Sequence, residues 1–127
     1  MDKMKILLVD DDPDFLGVIK KRLEVSGFTV VTASSGEEAL DAFAREKPSA
    51  ILLDILMPGV NGLEVLGTIR KANRNIPIFI TTAFTSEERF KMANQLNATG
   101  FIMKTMDFKE QIANIIDAIK LAEKYST

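Results

Sequence analysis

An α/β fold, a doubly wound parallel sheet of five strands with helices on both faces, is what this sequence predicts, and three observations predict it. Five short runs rich in Ile, Leu, Val and Phe, at residues 5–10, 29–33, 50–54, 77–82 and 100–104, alternate with longer stretches of helical period. The first, third and fourth runs are apolar at consecutive positions, as strands covered on both faces must be. The 127 residues suffice for one full core, whereas two independent domains of that combined length would each be marginal. Residues 1–127 are therefore read as a single domain. Short connections and right-handed crossovers favour the parallel arrangement.

Taken in order, the first run ends in Asp10, Asp11 and Asp12. Asp12 before Pro13 reads as an N-cap followed by proline at the first helical position, with Asp14 favouring the helix dipole. Phe15, Val18, Ile19 and Leu23 then share one face of a first helix, which Gly27 stops. After the second run, Ser35 stands three residues before Glu38, the spacing of a capping box that opens the second helix. The third run closes on Asp54, and Pro58, Gly59 and Gly62 mark a loop before the third helix. The fourth closes on Thr81 and Thr82, and Thr85 with Glu88 repeats the capping pattern. Asn97 to Gly100 tolerate the positive φ that ends a helix. The fifth run closes on Lys104, and Asp107 with Glu110 opens a last helix, where Ile112, Ile115, Ile116 and Ile119 share a face.

Composition excludes several kinds of chemistry. With no Cys and no His, the chain offers no thiol nucleophile, no histidine triad and no histidine to carry a phosphoryl group. Zinc sites and haem ligation through His or Cys are excluded as well. Sixteen Lys and Arg against 18 Asp and Glu give a net charge of −2. Without a basic cluster there is no electrostatic basis for direct nucleic-acid binding. No apolar run approaches the roughly 20 residues of a membrane span, and no signal segment opens the chain. The expectation is a cytoplasmic protein that does not associate with membranes.

In a doubly wound sheet the ligand crevice lies at the carboxyl ends of the strands, so the closing residues carry the functional argument. Neighbouring parallel strands lie about 4.8 Å apart, close enough for Asp10, Asp11 and Asp54 to converge. Clustered carboxylates repel one another, and a hard dication relieves that repulsion. Mg²⁺ takes oxygen ligands and suits phosphoryl transfer, where a carboxylate can itself be the nucleophile. Three carboxylates and protonated Lys104 leave two negative charges, which one Mg²⁺ cancels.

At these residues the sequence resembles the receiver domain of two-component response regulators. The likeness runs through Leu7 to Asp11, Leu52 to Asp54 followed by Met57, Pro58 and Gly62, Ile80 to Ala83, and Gly100 to Lys104. It implies a flavodoxin-like (βα)5 fold with strand order 2-1-3-4-5. It implies that Asp54 accepts a phosphoryl group from a phosphohistidine on a histidine kinase or a histidine phosphotransfer protein. Asp11 would ligate Mg²⁺ directly, Asp10 mainly through water, and Asp54 and the backbone carbonyl of Leu56 would complete the protein ligands. Thr82 and Lys104 would contact phosphoryl oxygens, and Phe101 occupies the place of the switch aromatic. The output would be a changed surface on helix 4, strand 5 and helix 5 for a downstream protein target, in a monomer or a phosphorylation-dependent homodimer. Catalysis would be limited to self-phosphorylation and slow dephosphorylation. No effector domain fits in this length, so the expectation is a stand-alone regulator, a phosphorelay intermediate or a receiver from a longer chain.

Thr105 departs from the family, where proline follows the lysine after a cis bond; a cis bond before Thr costs roughly 2.5–4 kcal/mol. The reach of Lys104 is open on that account. Leu56 and Phe84 are apolar where many relatives are polar, which predicts a long-lived phosphorylated state. Phe15, Leu16, Pro58 and Met106 are expected as apolar contacts on the rim for the phosphodonor, and Met92, Met103 and Met106 as gap-fillers near one face, with a Met-rich partner surface as the second reading. On pattern alone Phe101 reads as core. Two other functions stay open: a phosphorylation-independent interaction module of the same fold, supported by Thr105, and a small phosphohydrolase using the Asp10-x-Asp12 pattern. Against the second, Asp14 stands where a Thr or Val is wanted, and the chain has little room for additional catalytic segments.

Overall fold

The computed structural model describes residues 4–57, 61–82, 87–104 and 107–124. Five strands alternate with five helices: β1 (Lys5–Val9), α1 (Pro13–Val25), β2 (Thr29–Ala33), α2 (Gly36–Glu46), β3 (Ala50–Asp54), α3 (Gly62–Ala72), β4 (Ile78–Thr82), α4 (Glu87–Gln95), β5 (Gly100–Met103) and α5 (Phe108–Lys124). All strand pairs are parallel, in the order β2-β1-β3-β4-β5. This is the predicted doubly wound sheet and the 2-1-3-4-5 order.

Two cores follow from the period of 2 along the strands. Leu7, Val9, Ile51, Leu53, Ile78 and Ile80 point to one face, where α2 and α3 bring Ala39, Ala42, Leu63, Leu66 and Ile69. Ile6, Leu8, Ala50, Leu52 and Phe79 point to the other, where α1 and α5 bring Phe15, Leu16, Ile19, Leu23, Ile115 and Ile119. Each face excludes water, which explains why β1, β3 and β4 are apolar without interruption.

The predicted strand ends shift by one residue. Asp10 has left β1, although its N–H still donates to the Ala33 carbonyl at 3.1 Å. Pro77 precedes β4 because it has no N–H to pair, while its carbonyl accepts from Ile51 at 2.9 Å. Lys104 follows β5, with its N–H on the Thr82 carbonyl at 2.8 Å.

The helix signals hold at the ends that are described. Asp12 accepts from the N–H groups of Asp14 and Phe15, ahead of Pro13. Ser35 accepts from Glu38 N–H at 3.2 Å, and the Glu38 carboxylate reaches back to the N–H and hydroxyl of Ser34. Asp107 accepts from Lys109 and Glu110. Gly27 and Asn97 carry the positive φ expected of them, 101° and 65°. The Thr85 cap, Pro58 and Gly59 lie outside the described residues.

Three expectations about packing are corrected. Val18 is 37% exposed, and Leu16 takes its place on the buried face of α1, since both residues lie near the edge of the apolar stripe. Phe15 and Leu16, expected on the rim, are 7% and 9% exposed and belong to the α1–α5 core. Met92 and Met103 are exposed rather than filling gaps; Met106 lies outside the described residues.

Candidate functional site

Parallel strands end on one edge of the sheet, and the three strands that are neighbours there, β1, β3 and β4, bring the polar residues together. Asp10 directly follows β1 and Asp54 is the last residue of β3, paired across the ladder with Thr81. Carboxylate oxygens of Asp10, Asp11 and Asp54 lie within 4.8 Å of one another. Asp10 is fully buried and Asp54 is 4% exposed, whereas Asp11 faces solvent. The convergence that strand spacing permits is thus present in the structure.

Lys104 reaches this cluster. Its Nζ lies 2.5 Å from Asp10 Oδ2 and 3.2 Å from Asp54 Oδ2. The same ammonium sits 4.5 Å from the centroid of the Phe15 ring, a cation–π contact that helps hold it over the carboxylates. Sequence placed Phe15 on the core face of α1 and on the rim as a phosphodonor contact, but did not reveal its ring beneath the Lys104 ammonium. The one usable signal was its position three residues after the Asp12 cap, in the first turn of α1 next to the acidic loop.

The two buried carboxylates are held by backbone. Asp10 Oδ1 accepts from Asp12 N–H at 2.9 Å, and Asp54 Oδ1 accepts from Leu56 N–H at 2.8 Å. Asp10 Oδ2 is buried without a hydrogen bond of good geometry, despite its closeness to Lys104. Burial pushes the Asp10 carboxyl above its usual range, against the opposing pull of Lys104 and the Asp12 N–H. For Lys104, burial works to lower the pKa, but the two carboxylates outweigh it and raise the ammonium above its ordinary value. A buried oxygen short of hydrogen bonds, beside two further carboxylates, is the donor set of a hard divalent cation. The residues present fit such an ion.

The remaining predicted residues take these places. Thr82 is fully buried at the end of β4, paired in register with Met103, and Thr81 is equally buried. Leu56 is half-buried two residues beyond Asp54. Phe101 is half-buried against the α2–α3 core and stacks on Phe90 of α4, ring centroids 4.3 Å apart and planes at 25°. Pattern alone put Phe101 in the core, and the ring instead bridges core and surface. Phe84, Thr105 and Met106 lie outside the described residues. Among those residues no helix is long and apolar enough to cross a membrane.

Comparison with known proteins shows the family and the fold. The profile of the response regulator receiver domain matches residues 6–117. The probable transcriptional regulator ycf27 of Porphyridium aerugineum is 34% identical over the whole chain, which covers 52% of that protein. The alkaline phosphatase synthesis transcriptional regulatory protein PhoP of Bacillus subtilis is 34% identical over 94% of the chain, which covers 50% of it. The chain thus spans about half the length of these curated relatives. Among solved structures, a CheY-like response regulator receiver domain protein of Methanospirillum hungatei superposes with a TM-score of 0.87 at 28% identity, covering 97% of this chain and 98% of that one. The BeF3-activated N-terminal receiver domain of Klebsiella pneumoniae RstA gives 0.82 at 30% identity, over 93% and 97%.

Proposed function

The chain belongs to the response regulator receiver domain family of two-component systems, and from that premise we propose that it is a phosphoacceptor switch centred on Asp54. The observation that carries this reading is the convergence of Asp10, Asp11 and Asp54 at the strand ends, with Lys104 bridging the two buried carboxylates. An Asp54 oxygen attacks the phosphorus of a phosphohistidine on a histidine kinase or phosphotransfer protein. The P–O bond forms as the P–N bond breaks, and the imidazole nitrogen keeps the electron pair. Leu56 N–H and Lys104 hold the Asp54 carboxylate in place before attack.

Asp10, Asp11, Asp54 and the Leu56 carbonyl would hold Mg²⁺, which when bound supplies charge neutralisation at the transferring oxygens. Lys104 and the Thr82 hydroxyl then contact the phosphoryl oxygens. Phe101 couples that change to the α4–β5–α5 face, a role supported by its stacking on Phe90 of α4. Exposed Met92, Met103 and Leu121 supply apolar contact for a protein target on that face. Residues 1–127 act on this reading as one receiver unit in the cytoplasm, with no catalysis beyond its own phosphorylation and dephosphorylation.

Incubation with acetyl phosphate or phosphoramidate and Mg²⁺ tests the proposal by intact mass. One phosphoryl group should add to the wild type and none to Asp54→Asn; an unchanged wild-type mass would overturn the reading. The apolar neighbour of the acceptor also predicts a lifetime. Exchange of Leu56 for Asn should speed loss of the phosphoryl group several-fold by admitting water, and an unchanged decay rate removes that argument.

A further inference from the structure

We infer that the groove between the C-terminal ends of α3 and α4, at the pole of the sheet away from Asp54, binds a small polyanion of the oligophosphate class. The groove has a volume of about 510 Å³, and Arg70, Lys71, Arg74, Gln95 and Asn97 line it around Gly67. Leu96 completes the lining, and none of the lining residues carries a carboxylate.

Arg70 is the fixed part. Its Nε donates to the Asn97 carbonyl at 2.8 Å, Nη1 to the carbonyls of Ile76 at 2.6 Å and Asn73 at 3.2 Å, and Nη2 to the Thr99 hydroxyl at 3.2 Å. Four of the five guanidinium donors are thus used, every acceptor is uncharged, and one N–H on Nη2 is left over. Among the described residues, the ion pairs of Lys5, Arg45, Lys91 and Lys104 leave Arg70, Lys71 and Arg74 aside. Burial pulls the Arg70 guanidinium down, the mark of a charge that has lost water without gaining a counter-charge.

Basic residues in a last helical turn also complement the helix dipole, which accounts for the presence of Arg70 and Lys71 there. It does not account for Arg74, two residues beyond α3, nor for a guanidinium locked in place beside an open groove. A planar fork with a spare donor, flanked by two further cations, matches phosphate oxygens. No aromatic ring lines the groove, so a nucleobase has no stacking partner and recognition rests on the phosphate chain.

The test is an amide and Arg side-chain NMR titration of the ¹⁵N-labelled chain in metal-free buffer with sodium tripolyphosphate, ATP, AMP and a short DNA duplex as separate probes. Saturable shifts at Arg70, Asn97 and the end of α3 are expected with tripolyphosphate and equally with ATP. Much weaker binding is expected for AMP, and tighter binding of ATP than of tripolyphosphate would overturn recognition by the phosphate chain alone. The exposed pair Lys71→Ala with Arg74→Ala should weaken binding about tenfold or more, equivalent to ~1.4 kcal/mol. Gly67→Glu places a carboxylate in the groove, its Cβ meeting only Leu96 at 3.7 Å, and should abolish binding in a folded chain. Absence of saturable shifts at millimolar tripolyphosphate, indifference to both variants, or binding of the duplex alone would each overturn the inference.

Discussion

Asp10 is the residue at which burial and charge oppose each other most directly. Its carboxyl is fully buried and one oxygen lacks a well-formed hydrogen bond. A folded-state pKa raised by burial means that folding favours the protonated form. The stability this contributes is complete below the ordinary value of 3.8 and is lost as pH rises through the folded value, so at neutral pH the charged group is a liability. Asp10→Asn should therefore be more stable than wild type at neutral pH in EDTA, by roughly 1–3 kcal/mol, the cost of a poorly satisfied buried polar group. The advantage should fade toward pH 3; equal stabilities across that range in urea titrations would contradict the assignment. Asp10, Asp54 and Lys104 were legible in the sequence because each closes an apolar run, and strand direction alone sends such residues to one edge. The contact of Phe15 with Lys104 was not, since a ring that serves both the core and an ammonium has the same spacing as a ring that serves the core alone.

At the scale of elements, the start of α3 lies hard against the end of β3. A Cβ on Gly62 would overlap the Ile55 Cα and lie 2.9 Å from the Asp54 carbonyl oxygen. Backbone cannot yield as a flexible side chain does, so Gly62→Ala must push α3 away from the strand that carries the acceptor. Its expected cost is about 1–3 kcal/mol, with slower phosphorylation of Asp54. Gly17, in the middle of α1 with nothing within 4 Å of its Cβ position, provides the contrast. Gly17→Ala should stabilise by roughly 0.5–1 kcal/mol through backbone entropy. Denaturant midpoints of the two variants that moved in the same direction would refute this account. The sequence marked Gly62 as a loop breaker but not as a packing contact, because close approach depends on the angle of α3 against the sheet. It marked α1 correctly as an element and misassigned one edge of its buried stripe, Val18 for Leu16, because i+3 and i+4 positions diverge toward the margin of a helical face. In α4 only Ala93 is buried, so its capping pattern rather than any apolar stripe was the legible feature.

At the scale of the whole molecule, fold and ion site are linked by mass action. An ion bound only by the folded chain stabilises it by about 2.7 kcal/mol at a hundred times its dissociation constant. Mg²⁺ should raise the melting temperature of the wild type, EDTA should reverse the rise, and Asp11→Asn, exposed and outside the core, should abolish it. The increment should shrink in acid as Asp10, with its raised pKa, takes up a proton. A Mg²⁺-independent melting temperature in the wild type would count against the ion. The five-stranded parallel sheet was accessible from the order of elements, whereas the strand order came only from the family resemblance and strand spacing made the convergence of the acids possible without requiring it. The clamp of Arg70 on Asn97, Ile76 and Thr99 was not accessible, since it ties α3 to two connections, residues 73–77 and 96–99, that have no periodicity to read.

One consequence of the winding concerns how the molecule can be held. Every strand runs toward the carboxylates and every helix runs back, so Lys5 at the start of β1 and the last turn of α5 both lie at the opposite pole. A tether, label or surface anchor attached at either end of the described chain would therefore present the acceptor aspartate outward to solution. It would crowd the basic groove instead, so immobilising the chain separates the two sites by accessibility.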